Sequence, residues 1–342
     1  AHNANGTGAF MIKERQTDVK NVLVPNPNWW DKPQHNLTEV IMTPIGQDAT
    51  RVAALLSGEV DMVYPVPVQD IDRVNSNNGT SVMVGPELRT IFLFMDQFRD
   101  ELLYSNVKGK NPFKDLKVRQ AMYHAIDIEA IKKKIMRGLS DPSAIMISPK
   151  LFDRSEGFSR LEYSRDKAKA LLAEAGYPDG FSVTLDTPNN RYVNDEAIST
   201  AFVGMLGQIG IDVTLASRPV AEHSPIILAN ETDFYLLGWG VPTFDSAYIF
   251  NDLVHSKTDT HGTYNVGLYS NPELDEKIIS LGTETDLDAR NATIAEIWEV
   301  VKADRVLLPV HNQTLAYAMR EDITLPVHPE NQPNMTTVEF AE

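Results

Sequence analysis

The chain has 342 residues, a formal charge of −16 at pH 7 and no cysteine. Its length suggests two domains, and its 42% hydrophobic and 23% charged residues exclude a disordered or fibrous chain. The negative charge argues against nucleic acid as a partner, and the missing thiols exclude disulfides, cysteine-ligated metals and thiol nucleophiles.

The first hundred residues alternate short strands with turns. Alternating apolar residues predict strands at 9–15, 21–24, 38–44, 60–64, 81–84 and 89–94. Asp48 is expected to cap a helix that stops at Ser57 and Gly58, because short polar side chains favour helix N-termini. A second helix is predicted at 67–74.

From about residue 100 the pattern changes to longer helices alternating with single strands. Helices are predicted at 116–125, 128–136, 164–175, 194–209, 272–281 and 288–303. Strands are predicted at 181–185, 212–216, 233–238, 305–312 and 315–320. This order indicates an α/β domain with crossover connections, followed by an irregular tail from Pro326.

The sequence lacks the usual enzyme signatures, including a phosphate-binding glycine loop, a nucleophile elbow and a His-Glu-x-x-His helix. His255 and His261 lie in a polar loop without an adjoining carboxylate at ligand spacing, so we predict no metal site and no cofactor. Asp286 and Asp288 stand at a predicted helix start, where capping is the simpler explanation.

A buried strand at 233–238 runs into a Gly-Trp-Gly loop that is the first candidate binding segment. The loop carries Trp239 and, further on, the carboxylate of Asp245. Ligands of α/β proteins collect at strand ends, so both side chains are predicted to contact a ligand. Packing of Trp239 against a helix is the alternative.

The polar loop 189–195 lies between a predicted strand and a predicted helix and is the second candidate. Arg191 offers a fork of donors suited to a carboxylate, and Tyr192 and Asn194 are predicted as further ligand contacts. Asn194 is equally well placed to be only a helix N-cap.

Five segments, in order along the chain, resemble those of a known family: 6–10, 26–30, 50–61, 115–127 and 166–178. They are similar to the middle part of the family 5 extracellular solute-binding proteins. These proteins serve ATP-binding-cassette (ABC) importers for peptides, nickel and related solutes.

The resemblance implies a periplasmic, or extracellular and membrane-associated, receptor with the type II, peptide-binding fold and no enzymatic activity. It would capture a small-molecule or peptide solute between two α/β lobes, close by a hinge motion and dock on an ABC permease. The first lobe is expected to be 1–96 plus 314–342 and the second 97–313. The crossings near Met95 and Asn312 are the predicted hinges.

Two departures from the family pattern lead to further expectations. The family's Gly-Thr-Gly motif follows a long N-terminal stretch, whereas here it begins at Gly6. The first lobe is therefore expected to be incomplete, with the missing N-terminal part of the same protein as a partner. Peptide-binding members also place an aspartate three residues after the tryptophan, where this chain has Pro242. Asp245 is the candidate substitute.

Two other functions stay open at this point. An extracellular hydrolase would use carboxylates gathered by folding, such as Asp186, Asp195 and Asp245. A sensory protein would present the bound solute to a membrane receptor. It would share the solute-binding cleft and differ in its docking surface.

Overall fold

The computed structural model describes residues 6–149 and 151–341, and the chain divides into two compact units. The first unit comprises Ala1–Glu87 with Thr314–Glu342, and the second comprises Leu88–Gln313. The sequence predicted lobes of 1–96 with 314–342 and of 97–313. These boundaries remain a prediction, because they concern which parts of the chain move together.

The first unit is built mainly from short strands. Its elements are β1 (Phe10–Gln16), β2 (Lys20–Pro25), β3 (Val40–Met42), α1 (Asp48–Leu56), β4 (Met62–Val63) and α2 (Ile71–Asn75). The strands β1, β2 and β3 form an antiparallel sheet in that order. In the C-terminal tail, β11 (Ile323–Thr324) pairs with β12 (Glu339–Phe340).

Two long strands belong to both units, namely β5 (Thr80–Met95) and β10 (Leu307–Arg320). The remaining strands of the second unit are β6 (Ser140–Pro142), β7 (Phe181–Pro188), β8 (Ile211–Arg218) and β9 (Phe234–Gly240). Its helices are α3 (Leu116–Ala125), α4 (Ile128–Ala130), α5 (Arg165–Glu174), α6 (Asp195–Gly207), α7 (Val220–Leu228), α8 (Ser246–Ile249), α9 (Pro272–Ser280) and α10 (Leu287–Asp304). Both α4 and α8 continue as π-helical turns, Ile131–Ile135 and Phe250–Val254.

The sheet of the second unit is mixed and covered on both faces. Strand β9 pairs antiparallel with β5 and parallel with β7, which in turn pairs parallel with β8. Side chains of β5 alternate between two hydrophobic cores: Ile91 and Leu93 enter one, and Phe92 and Phe94 enter the other. This alternation follows the two-residue period of a strand and explains the long apolar run.

Prolines stand at two of the differences from the predicted elements. Residues 81–84 and 89–94 belong to one continuous strand, β5, because the fixed φ of Pro86 is compatible with extended backbone. Helix α7 was not predicted, since it starts after Pro219 and contains Pro225. A proline inside a helix removes one backbone hydrogen bond. A helix of about two turns can lose that bond when its packing against the rest of the protein holds it in place.

Helix starts follow the predicted caps in part. The predicted cap of α1, Asp48, lies in its first turn instead and pairs with Arg51 at 2.5 Å, while Gln47 is the N-cap residue. Asp286 caps α10 as predicted, because its Oδ1 accepts the N–H of Ala289 at 2.9 Å. In the described part of the chain, no helix is sufficiently long and apolar to span a bilayer.

Candidate functional site

Trp239 lies near the end of β9 and belongs to a cluster of three aromatic rings. Its indole stacks on Tyr248 of α8, with centroids 5.6 Å apart, and meets Tyr264 edge-on at 4.8 Å. The side chain is half-buried, and its Nε1 has no hydrogen-bond partner within the described residues. The contact with a helix, which was the alternative interpretation of this tryptophan, is present; its contact with a solute stays a prediction.

The loop 189–195 and the end of β9, predicted as separate candidates, meet at the carbonyl of Gly238. The hydroxyl of Tyr192 donates to this oxygen at 3.4 Å, and Nη1 of Arg89 donates to it at 3.1 Å. A Cβ at position 238 would lie 2.8 Å from the Tyr192 ring. Glycine at this position therefore allows the loop to approach the strand closely.

Two guanidinium groups surround the Tyr192 ring. Arg89 and Arg191 each place Cζ 5.5 Å from its centroid, within the range of a cation–π interaction. Arg89 was not among the predicted site residues. In the sequence, Arg89 is recognisable as a single positive charge at the start of a largely apolar strand segment. This pattern also fits a structural role.

A buried carboxylate organises the loop that carries Arg191. Asp195 accepts the backbone N–H groups of Arg191 and Tyr192 at 2.9 Å each and that of Glu196 at 3.0 Å. Burial raises the pKa of Asp195, and these hydrogen bonds oppose that rise by favouring the charged form. Asp195 thus fixes the backbone of the loop.

Asn194 does not act as the side-chain cap that was its alternative interpretation. It adopts a left-handed conformation with φ of 56°, and its side chain does not cap α6. Its Nδ2 donates to the carbonyl of Ile135 at 3.0 Å. The amide N–H₂ group is therefore engaged within the second unit.

The carboxylate of Asp245 is already paired with a positively charged side chain of the same chain, that of Arg290. Its Oδ2 and Oδ1 accept from Nη1 and Nη2 of Arg290 at 2.6 and 3.1 Å. Its Oδ1 also accepts the N–H of Ala247 at 2.8 Å and caps α8. A positively charged group of a solute would have to compete with Arg290 for this carboxylate. A guanidinium that makes two parallel hydrogen bonds is among the strongest partners of a carboxylate.

Asp186, the third carboxylate considered for hydrolysis, is also engaged. It is buried, and its two oxygens accept from Arg218 at 2.5 Å and from Thr232 at 2.7 Å. The rings of His255 and His261 stack with centroids 4.5 Å apart. Within the described residues, no group of three or more histidine and carboxylate side chains is placed to hold a metal ion.

The first unit contains an open cavity of about 860 Å³. Its apolar lining includes residues of β3 and of the C-terminal tail, among them Val40, Ile41, Met42, Val338 and Phe340. The Ile41 side chain is 60% exposed, which is high for a β-branched apolar residue on a strand.

The chain is similar to glutathione-binding proteins over most of its length. It is 23% identical over 325 residues to glutathione-binding protein GsiB of Salmonella paratyphi A and 25% identical to that of Pectobacterium atrosepticum. Each match covers 93% of this chain but 61% and 60% of the relative. The chain therefore spans about three fifths of the length of these relatives.

Solved structures of binding proteins share the fold. The periplasmic binding protein DppA from Helicobacter pylori, in complex with the peptide STSA, matches with a TM-score of 0.84 at 20% identity over 98% of this chain and 63% of that chain. NikA from Staphylococcus aureus, in complex with Ni(L-His)₂, matches with a TM-score of 0.81 at 22% identity over 98% and 69% of the two chains.

The model of one protein family, bacterial extracellular solute-binding proteins, family 5 Middle, matches residues 1–261. This match covers more than half of the chain, and the shared fold agrees with it, as the resemblance of the five sequence segments predicted. The chain belongs to the family 5 bacterial extracellular solute-binding proteins.

Proposed function

We propose that the complete protein captures a small peptide-like solute outside the cytoplasm, without turnover, and delivers it to an ABC permease. The observation that carries this proposal is the meeting of the two predicted binding segments at Gly238. Tyr192 and Arg89 bind this carbonyl, Arg191 lies against the Tyr192 ring, and the next residue, Trp239, belongs to the aromatic cluster with Tyr248 and Tyr264. Such a combination binds a solute by shape and charge, and it contains no activated nucleophile.

The names of the relatives support a peptide-like solute. Glutathione is a small peptide, and the DppA structure holds a peptide. NikA holds a nickel complex of histidine, so the fold also accommodates other solutes.

Each predicted contact has a specific role in this proposal. Trp239 packs against the solute, and Arg191 pairs with a solute carboxylate. Tyr192 and Asn194 supply polar contacts through groups that their internal hydrogen bonds leave available. Asp245 is the weakest of the five, because it already binds Arg290.

Hydrolysis is not favoured by the carboxylates considered for it. Asp186, Asp195 and Asp245 are each held by partners from the second unit, and general acid catalysis needs a carboxyl free to exchange a proton with the substrate. We infer that the protein lacks catalytic activity and works in the periplasm or, associated with the membrane, outside the cell. Hinge motion in β5 and β10, near Met95 and Asn312, would close the lobes.

We also propose that a preceding portion of the same protein completes the first lobe. The relatives extend well beyond the matched region, and Ile41 and Met42 of β3 are exposed and line an open cavity. Large exposed apolar patches mark surfaces that are covered by a partner. The 342-residue chain alone should therefore bind the solute at least about tenfold more weakly than the complete protein.

The experiment uses the complete protein purified without denaturation. Native mass spectrometry identifies the solute that co-purifies, and calorimetry then measures its affinity. We expect saturable binding with one solute per protein and recovery of the solute at unchanged mass after prolonged incubation. Time-dependent appearance of a cleavage product would favour the hydrolase instead.

A further inference from the structure

Two guanidinium groups in the second unit lie against one tyrosine ring, that of Tyr123 on α3. The Cζ atoms of Arg160 and Arg305 are 4.4 and 5.6 Å from its centroid, within the range of a cation–π interaction. Tyr123 is 3% exposed and Arg305 is 7% exposed, and the Nε atoms of both arginines are buried. Two like charges are therefore withdrawn from water at the same ring.

The two arginines differ in their hydrogen bonds. Arg160 donates from Nη1 to three backbone carbonyls, those of Ser143 at 2.7 Å, Val310 at 3.2 Å and Pro309. The side chain of Arg305 makes no hydrogen bond and no ion pair within the described residues, and its buried Nε lacks an acceptor. Arg305 is thus a buried cation whose donors are not used by the described part of the chain.

The carboxylate next to Arg305 in the chain is directed elsewhere. Asp304 accepts the hydroxyl of Tyr269 at 2.6 Å through its Oδ2. Burial lowers the pKa of Arg305, and Tyr123 acts in the opposite direction, but a guanidinium stays protonated near neutral pH in either case. A desolvated charge without a counter-charge destabilises a fold, so a negative ion from solution would stabilise this one.

A narrow cleft beside Arg305 has room for such an ion. Besides Arg305, its lining includes Tyr123 and Lys302, and the other side chains that line it are apolar. It leaves space for about one water-sized particle. The Nζ of Lys302 lies 3.7 Å from the carboxylate of Glu299, which is not part of the lining. Within the described residues, the walls of the cleft are therefore positive and apolar.

We propose that Arg305 binds a single small inorganic anion, of about the size of chloride, in this cleft. The guanidinium N–H groups would donate to the anion, and the charges of Lys302 and Arg160 would add to the attraction. A solute carboxylate fits less well, because the chain attached to it exceeds the available space. The cleft shares no residue with the candidate solute site, so this inference does not depend on the proposed function.

The first test measures the melting temperature of the complete protein while chloride replaces gluconate, a bulky organic anion, at constant ionic strength. Constant ionic strength keeps the screening of surface charges unchanged. We expect chloride to raise the melting temperature by about 2 to 4 °C, because a ligand that binds only the folded state stabilises it. A melting temperature that does not depend on chloride would overturn the proposal.

The variant Arg305→Gln removes the charge that holds the anion, so its melting temperature should not respond to chloride. In gluconate it should melt at the same or a higher temperature than the wild type, because an unpaired buried charge is removed. Arg137→Gln is the matched control: Arg137 has the same left-handed φ of 49° as Arg305, but it is exposed. It should keep the full chloride response. An equal response of Arg305→Gln and wild type would overturn the site.

The second test locates the ion in the wild-type protein and does not depend on the folding of a variant. Crystals of the complete protein are grown with bromide in place of chloride, and the anomalous scattering of bromine marks each bound ion. We expect a peak in contact with the Arg305 guanidinium. Peaks confined to the protein surface would mean an adventitious ion only and would overturn the proposal. Neither result bears on solute capture, which the experiment on the co-purified solute tests separately.

Discussion

At the residue scale, Trp239 combines packing inside its unit with a solvent-accessible part that we propose contacts the solute. One part of the indole packs on the second core of its unit and on Tyr248, while another part remains accessible to solvent. The rigid contact with α8 limits the rotamers of the indole, so a solute that stacks on it loses little additional entropy.

Trp239→Ala should weaken solute binding by about 1 to 3 kcal/mol, because the variant loses aromatic contact area. Calorimetry with the co-purified solute measures the change. Trp239→Phe is the matched control, which keeps a ring and should lose less than half of that amount. Equal affinity of Trp239→Ala and wild type would remove this residue from the binding site.

At the scale of elements, the end of β9 is where the candidate site is assembled. The strand pairs with β5 so that Gly240 lies opposite Arg89 and Gly238 lies opposite Ile91. The loop after β7 approaches the same strand through Tyr192. The candidate site thus depends on Gly238, where side chains from neighbouring segments reach the backbone of β9.

Gly238→Ala should lower the free energy of unfolding by about 1 to 3 kcal/mol and also weaken solute binding. The new methyl group would lie 2.8 Å from both the Tyr192 ring and Cδ1 of Ile91, so the loop must shift. Gly240→Ala is the control, because its methyl group would meet Nη2 of Arg89 at 3.9 Å, an ordinary contact. Urea unfolding and calorimetry of both variants provide the comparison; similar losses in the two would contradict the argument.

Helix α10 provides a second prediction at this scale. Asp286→Ala should destabilise the protein by about 1 kcal/mol, because the N–H of Ala289 loses its acceptor. Asp286→Asn keeps an equivalent acceptor and should stay within a few tenths of a kcal/mol of wild type. Thermal unfolding distinguishes the two variants. A loss of the same size in both would indicate that charge, and not capping, is responsible.

At the scale of the whole molecule, acid should destabilise the protein through a buried histidine. His311 on β10 is fully buried, and burial lowers its pKa to about 3, with a smaller contribution from the charge of Arg160. Its folded pKa lies below the unfolded value of about 6.5. The stabilisation by neutral His311 is therefore complete above pH 6.5 and is lost as the pH falls from 6.5 toward 3.

Stability should decrease by about 1.4 kcal/mol per pH unit for this histidine in that range. Urea unfolding at pH 7, 6 and 5 measures the slope. His311→Leu keeps a similar volume and removes the titrating group, so its slope should be smaller by about the same amount. Burial raises the pKa of Asp195 and of Asp233, so these two groups make the protein more stable as the pH falls. Both are present in the wild type and in His311→Leu, so their contribution cancels in the comparison. Parallel pH curves would rule out His311 as the source.

Local patterns in the sequence were sufficient for most elements and for the family. Strands such as β7 and helices such as α3 follow from the period of their apolar residues, and the cap of α10 follows from a single side chain. These features depend on residues that are close along the chain. The five family segments likewise are short local patterns, and the family match over residues 1–261 confirms the family that they indicate.

The candidate site was decided by tertiary structure. Arg89 reaches the carbonyl of Gly238 from 149 positions away, and Arg290 reaches Asp245 from 45 positions away. No local pattern records such pairings, because they arise when sheet pairing and helix packing bring distant segments together. The sequence by itself determined the family, the α/β class and the two candidate segments. The fold alone decided that these segments meet at one carbonyl and that Asp245 is already paired with Arg290.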